Sequence, residues 1–183
     1  MIRKEALNSI KENVDNKNLI KHMLATEAIM RALARRLGED EEEWGLTGLL
    51  HDIDVELTGG DMNSHSRLGA DLARELGAGE AMAHAILCHN PAHGVPCQTK
   101  LDKALYCADP LTGLIIAATL VRPDKKMAGL EVKSVKKRFK EKRFAPGADR
   151  EQISSCSELG LELDEFIELG LEAVKGIAST LGL

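Results

Sequence analysis

Leu46-Thr47-Gly48-Leu49-Leu50-His51-Asp52-Ile53-Asp54-Val55-Glu56 opens as an apolar helical run that leads into His51 and Asp52, two residues of metal-ligand type. A helix this apolar is expected to bury itself, which delivers the His51–Asp52 pair to a buried helix end. There the helical geometry is finishing, so two adjacent side chains can turn toward one point. Imidazole beside carboxylate suits a borderline divalent cation.

Outward from this run, apolar residues recur at helical spacing almost everywhere, and no stretch alternates with period two for long enough to need a sheet. The spacing predicts helices over about 3–14, 19–37, 40–51, 64–77, 79–89, 99–120, 132–142, 149–158 and 164–181. Asn18, Asp40 and Ser64 are the expected N-caps, and Gly38 stands where a helix-terminating glycine belongs. Thr58-Gly59-Gly60-Asp61 predicts a turn, Pro91 to Gln98 an irregular stretch, and Pro110 a break or kink inside its helix. The last helix carries an apolar stripe of Phe166, Ile167, Leu171, Val174, Ile177, Ala178 and Leu181, which is expected to be core. Facing outward, it would instead make a homodimer.

Composition agrees with an all-α fold. Hydrophobic residues make up 44% of the 183, enough for one substantial core, yet aromatics are only 3%. Leu, Ile, Ala, Val and Met must therefore fill the interior, a palette that favours helices. Met1 to Leu19 has no apolar segment of signal-peptide type, and the longest apolar stretch, Leu114 to Val121, is too short to span a bilayer. Cys88, Cys97, Cys107 and Cys156 form no CxxC pair and are expected to be reduced thiols. A cytoplasmic location without a membrane partner is the resulting expectation. The net charge of −5 conceals an asymmetry: ten Lys/Arg against three Asp/Glu give the stretch Arg122 to Arg143 a charge of +7, leaving −12 elsewhere. Such a stretch can attract phosphate-bearing partners, although most of these lysines also suit a solvated helix face.

His22 lies on an apolar helix beside Met23 and Ile29, where a lone histidine is more often a satisfied core residue. Asp109 follows Ala104-Leu105-Tyr106-Cys107-Ala108 and precedes Pro110; a carboxylate in such surroundings needs a cap, an ion pair or a cation. In chain order, His22, His51–Asp52 and Asp109 on a helical sequence resemble the signature of the HD-domain superfamily. "LLHDIDVE" is similar to that family's central "LLHDIG" element, and Leu101 to Pro110 is similar to the element that carries its last aspartate. The resemblance covers about 18–120 and implies a single HD-type helical bundle of about seven to nine helices, with 121–183 as a C-terminal helical extension.

The resemblance also implies a ligand set. His65, in Asn63-Ser64-His65-Ser66-Arg67-Leu68-Gly69-Ala70, and His89, in Ala85-Ile86-Leu87-Cys88-His89-Asn90, resemble ligands of HD proteins with two-metal sites, among them bacterial hydrolases of dinucleoside polyphosphates. His22, His51, Asp52 and Asp109 would hold one ion, and Asp52 would bridge to a second held by His65 and His89. One or two divalent ions (Mn, Fe, Co, Ni or Mg) are implied, acting on a phosphomonoester or phosphoanhydride of a small substrate such as a nucleotide. Asp54 and Glu56 stand near the place where the cyclic-dinucleotide phosphodiesterases of this superfamily carry a phosphate-binding lysine. Their acidity argues against that substrate and offers them, with Asp52, as catalytic proton-transfer groups. Arg67, Arg122, Lys125 and Lys126 are the candidate substrate-binding cations.

Two rival readings use the same residues. Some HD-fold proteins activate oxygen at a di-iron site. Alternatively, the chain binds nucleotide or nucleic acid as a regulator without turnover, although five aromatic residues leave little with which to stack bases. His84 lies one helical turn before Cys88, a ligand spacing, but no second thiolate is near in sequence. A core or supporting role is expected for it, and His93 reads as a free loop histidine.

Overall fold

The computed structural model describes residues 2–183 and is helical throughout, with no strand among the described residues. The helices are α1 (Arg3–Asn13), α2 (Lys17–Leu37), α3 (Glu41–Leu50), α4 (Arg67–Glu75), α5 (Glu80–Cys88), α6 (Lys100–Leu120), α7 (Val132–Lys140), α8 (Arg150–Ser154), α9 (Leu163–Lys175) and α10 (Ala178–Leu181). They bear out the expected all-α bundle. The count among the described residues is ten and not nine because the C-terminal helix breaks after Lys175, at Gly176 and Ile177.

Local chemistry accounts for the helix ends. The Asn16 side chain accepts from the Asn18 and Leu19 backbone N–H groups, so the cap of α2 lies two residues before the expected Asn18. Asp40 caps α3 as expected, accepting from Glu43 N. Ser64 does not cap α4. The cap position falls on Ser66, held at φ 72°, so the turns after His51 extend further than the sequence indicates. Pro110 breaks nothing: α6 runs as one 21-residue helix through it. The proline removes one helical N–H, but Ala108, Leu111 and Leu114 around it are fully buried, and that packing holds the helix through the lost bond.

Two apolar clusters share α2 and α5. One joins α2 to α6, α9 and the C-terminal segments through Ile29, Met30, Leu33, Leu105, Leu111, Ile115, Phe166 and Leu171. The other packs α1, α3, α4 and α5 against Met23. The stripe of α9 is used inside the first cluster: Phe166, Ile167, Leu171 and Val174 are fully buried. α6 is long and apolar enough by composition to cross a membrane, but in this fold it is the central helix of that cluster.

The site is positioned by the crossing of α2 and α3. At Gly48 a Cβ would lie 2.8 Å from Met30 Cγ and 3.0 Å from the Thr26 carbonyl oxygen, so only glycine allows this approach. One turn on, the same crossing brings His51 against His22. Gly48→Ala is expected to destabilise the fold by about 1–3 kcal/mol through overpacking and to weaken metal binding by parting the two imidazoles. Gly113→Ala, in open space on α6, should be neutral or slightly stabilising. Urea unfolding and metal titration of both variants check this.

Candidate metal centre

Six side chains converge where α2, α3, α5 and α6 meet. His22 comes from the middle of α2, His51 and Asp52 from the end of α3, and His65 from the turns before α4. His89 comes from the end of α5, and Asp109 from the middle of α6.

Around one point, His22 Nε2 lies 2.9 Å from Asp109 Oδ1, 3.2 Å from His51 Nε2 and 3.6 Å from Asp52 Oδ2. His51 Nε2 is 3.2 Å from Asp52 Oδ2 and 3.6 Å from Asp109 Oδ1. Ligand atoms held about 2.1 Å from one ion stand roughly 3.0–3.4 Å apart, so these four donors fit a divalent cation. Asp52 turns its other oxygen away, with Oδ1 3.5 Å from His65 Nε2 and 3.6 Å from His89 Nε2. The residues thus fit two ions with Asp52 between them, and the all-N/O donor set suits Mn, Fe, Co, Ni or Mg.

The imidazoles are aimed from behind. His51 Nδ1 donates to the Gly48 carbonyl at 2.8 Å and His89 Nδ1 donates to the Ile86 carbonyl at 2.6 Å. A carbonyl only accepts, so both rings carry a proton on Nδ1 and turn Nε2 to the centre, where a cation could replace any proton it holds. His65 Nδ1 donates to Asp54 Oδ1 at 2.8 Å. Its backbone carbonyl accepts from Asn90 Nδ2 and from His93 Nε2 at 2.6 Å.

This geometry reassigns several expected residues. Asp54 is fully buried, and its Oδ2 accepts from the Ser66 and Gly69 backbone N–H groups at 2.7 and 2.8 Å. It therefore positions His65 and has no open path to a substrate proton. Glu56 accepts from the Asp15 and Asn16 N–H groups and is tied to the α1–α2 connection. Both carboxylates, expected as proton-transfer groups, are thus engaged in holding neighbouring backbone and His65. His93 is not free: besides His65 it accepts from Arg67 Nε at 3.2 Å, which also occupies the exposed Arg67 side chain. Arg122, Lys125 and Lys126 follow the far end of α6. Eleven residues at 1.5 Å each separate Asp109 from Leu120, about 17 Å of straight helix. Arg122 is in addition paired with Asp124 and the Gly129 carbonyl.

Another part of the basic stretch lies in a groove beside the centre. A cleft of about 390 Å³ over Asp52, His65, His89 and Asp109 is walled by Pro146, Gly147 and Asp149 of the α7–α8 connection. A groove holding Lys140 and Lys142 shares Pro146 and Asp149 with that wall. Arg150 holds the connection in shape: its guanidinium donates to the carbonyls of Arg138, Phe139, Glu141, Phe144, Ala145 and Ala148. These residues lie beyond the span of the family resemblance, so only the fold could bring them to the site.

Burial alone would lower the His51 pKa and raise those of Asp52 and Asp109. The contacts among them override it, holding His51 well above the ordinary imidazole range and both carboxylates well below theirs.

The chain belongs to the HD domain family, whose sequence profile matches residues 19–114, just over half its length. That superfamily consists of metal-dependent phosphohydrolases. Among curated proteins it is similar to ribonuclease Y of Oleidesulfovibrio alaskensis, 32% identical over 98 residues, covering 54% of this chain and 18% of that protein. Ribonuclease Y of Salinispora arenicola is 37% identical over 96 residues, 52% of this chain and 16% of that protein. Ribonuclease Y of a Sulfurovum species is 30% identical over 152 residues, 82% and 28%. The chain thus spans less than a third of the length of these relatives. No solved structure matches it.

The charge balance predicts a pH dependence. A raised His51 value contributes stability that is complete below the ordinary imidazole range and is lost as pH climbs through the raised value. The lowered Asp52 and Asp109 values contribute stability that is lost on acidification. Chelator-treated protein should therefore melt at a constant temperature from about pH 5 to 7 and at lower temperatures above that. Saturating Mn²⁺ should remove the alkaline fall, because the cation takes the place of the proton. Thermal unfolding across pH tests this, and stability that rises to pH 9 in the chelated protein would refute it.

Proposed function

We propose that this chain hydrolyses a phosphomonoester or phosphoanhydride of a small nucleotide, with water as the nucleophile. The observation that carries the reading is the Asp52 carboxylate, whose two oxygens face two separate ligand sets at the base of an open cleft. Divalent ions held there would lower the pKa of bound water and offset charge on the phosphoryl oxygens.

The protein's own groups do the rest. His51 and His89, each fixed by a backbone carbonyl, and His65, fixed by Asp54, keep their Nε2 atoms in place without reorganisation. Pro146, Gly147 and Asp149 line the cleft together with His65. Lys140 and Lys142, at its edge, supply positive charge for the rest of a phosphorylated substrate, replacing the cations expected from sequence.

A cleft of about 390 Å³ lies in the range of small-molecule sites, and none of its lining residues is Phe, Tyr or Trp. Both facts favour a short substrate over a stacked single strand. The second reading is RNA, and the names of the ribonuclease Y relatives support it.

The test is a screen of the metal-reconstituted protein without oxygen. It covers nucleotides, dinucleoside polyphosphates, simple phosphomonoesters and an end-labelled oligoribonucleotide. Turnover of a small nucleotide is expected; cleavage of the oligonucleotide alone would shift the reading to RNA, and strict dependence on oxygen would shift it to the di-iron oxygenase. Asp52→Ala should abolish turnover with the helical circular dichroism intact. Asp54→Asn should cost about 10- to 100-fold in metal affinity or activity. Lys142→Ala should raise KM several-fold with little change in kcat.

A further inference from the structure

A second group of metal-ligand side chains lies outside this centre. His84 and Cys88 stand one turn apart on α5, Cys97 lies in the connection to α6, and Asp102 lies in the first turn of α6. His84 Nδ1 is 3.0 Å from Asp102 Oδ2, and Cys88 Sγ is 3.4 Å from Cys97 Sγ. His84, Cys88 and Asp102 each offer a donor atom within 4.8 Å of the others. Both cysteines are free thiols.

Asp102 has two different oxygens. Its Oδ2 accepts from the Gln98 and Thr99 backbone N–H groups at 2.9 Å each and so ties down the start of α6. Its Oδ1 is fully buried and has no hydrogen-bond partner. A buried carboxylate oxygen without a donor is costly, and a cation beside it would remove that cost.

We propose that His84, Cys88, Cys97 and Asp102 form a second metal site, one that takes a single thiophilic divalent ion of the zinc class. Two sulfurs, one imidazole and one carboxylate make a four-ligand set of the kind zinc accepts. The main centre offers only nitrogen and oxygen, so the two sites select different metals. The S···S and N···O separations match neighbouring ligands around one ion after shifts of a few tenths of an ångström. A groove of about 330 Å³ beside Cys88, Cys97, Pro96 and Tyr106 gives an entry path. The ion would clamp the end of α5 to the start of α6. Because His89 follows Cys88 directly, it would also steady a ligand of the main centre. This inference stands independently of the proposed reaction.

The experiment uses the full chain, reduced and kept from air, carrying Asp52→Ala to disable the main centre. On Co²⁺ titration we expect one equivalent to bind with a thiolate-to-cobalt charge-transfer band, and Zn²⁺ to bleach that band. Cys97 is only partly buried, so Cys97→Ser should fold; with Cys88 as the one remaining thiolate it should lose about half the band and weaken Co²⁺ binding by at least about tenfold. Zn²⁺ should also protect Cys97 from a thiol reagent. Cobalt binding without a thiolate band, a band unchanged in Cys97→Ser, or a thiol that reacts equally with and without Zn²⁺ would each overturn the site.

Discussion

Four imidazoles and three carboxylates share one buried junction, and the architecture around them is arranged to make that burial tolerable. Asp52, Asp54 and Asp109 cannot keep their charge there unless something positive or hydrogen-donating meets each oxygen. Asp54 is met by His65 and two backbone N–H groups. Asp52 and Asp109 are met by imidazoles whose Nε2 atoms all face the same two points. The charge that remains is of the kind a divalent cation would neutralise, and the donor types clustered there could hold one.

That junction depends on helix packing that is apolar in origin. Gly48 lets α3 close on α2, and Met23, Leu49 and Leu50 bury the contact on one side. The central helix α6 supplies Asp109 from the other side, and α9 covers the opposite face of α2 and α6. Thr26 Oγ1, 3.2 Å from Thr112 Oγ1, joins α2 to α6 close to the ligands. The core is thus a set of rigid rods whose ends and midpoints meet at the centre. The more irregular segments, the turns after His51 and the α7–α8 connection, form its rim.

The rim is where chemistry read from the sequence went astray. Asp54 and Glu56 stand two and four residues from Asp52, and in one dimension they look like its partners in proton transfer. In space one turns inward to aim His65 and the other caps the start of α2. Arg122, Lys125 and Lys126 follow the Asp109 helix in sequence, but a straight helix carries each residue 1.5 Å further from the ligand. Lys140 and Lys142, at the end of α7 and just beyond it, line a groove that adjoins the cleft although they are more distant in sequence. The second donor group was hidden in the same way. The spacing of His84 and Cys88 is legible on α5, but the partner thiol lies beyond an irregular stretch that no periodicity describes.

The sequence by itself determined the helical class and most helix boundaries, and it marked His51, Asp52 and Asp109 as polar residues in apolar helical settings, with His22, His65 and His89 added by the family resemblance. Each of these is written in local terms: apolar spacing, caps, and polar residues stranded at the ends or midpoints of apolar helices. Only the tertiary structure decided that these six meet with Asp52 in the middle, and that Asp54 supports while Glu56 stands aside. It alone placed Lys140 and Lys142 in a groove that adjoins the cleft. Those outcomes depend on helix crossing, length and return direction, which are settled by packing between distant segments and leave no mark in any short window of sequence.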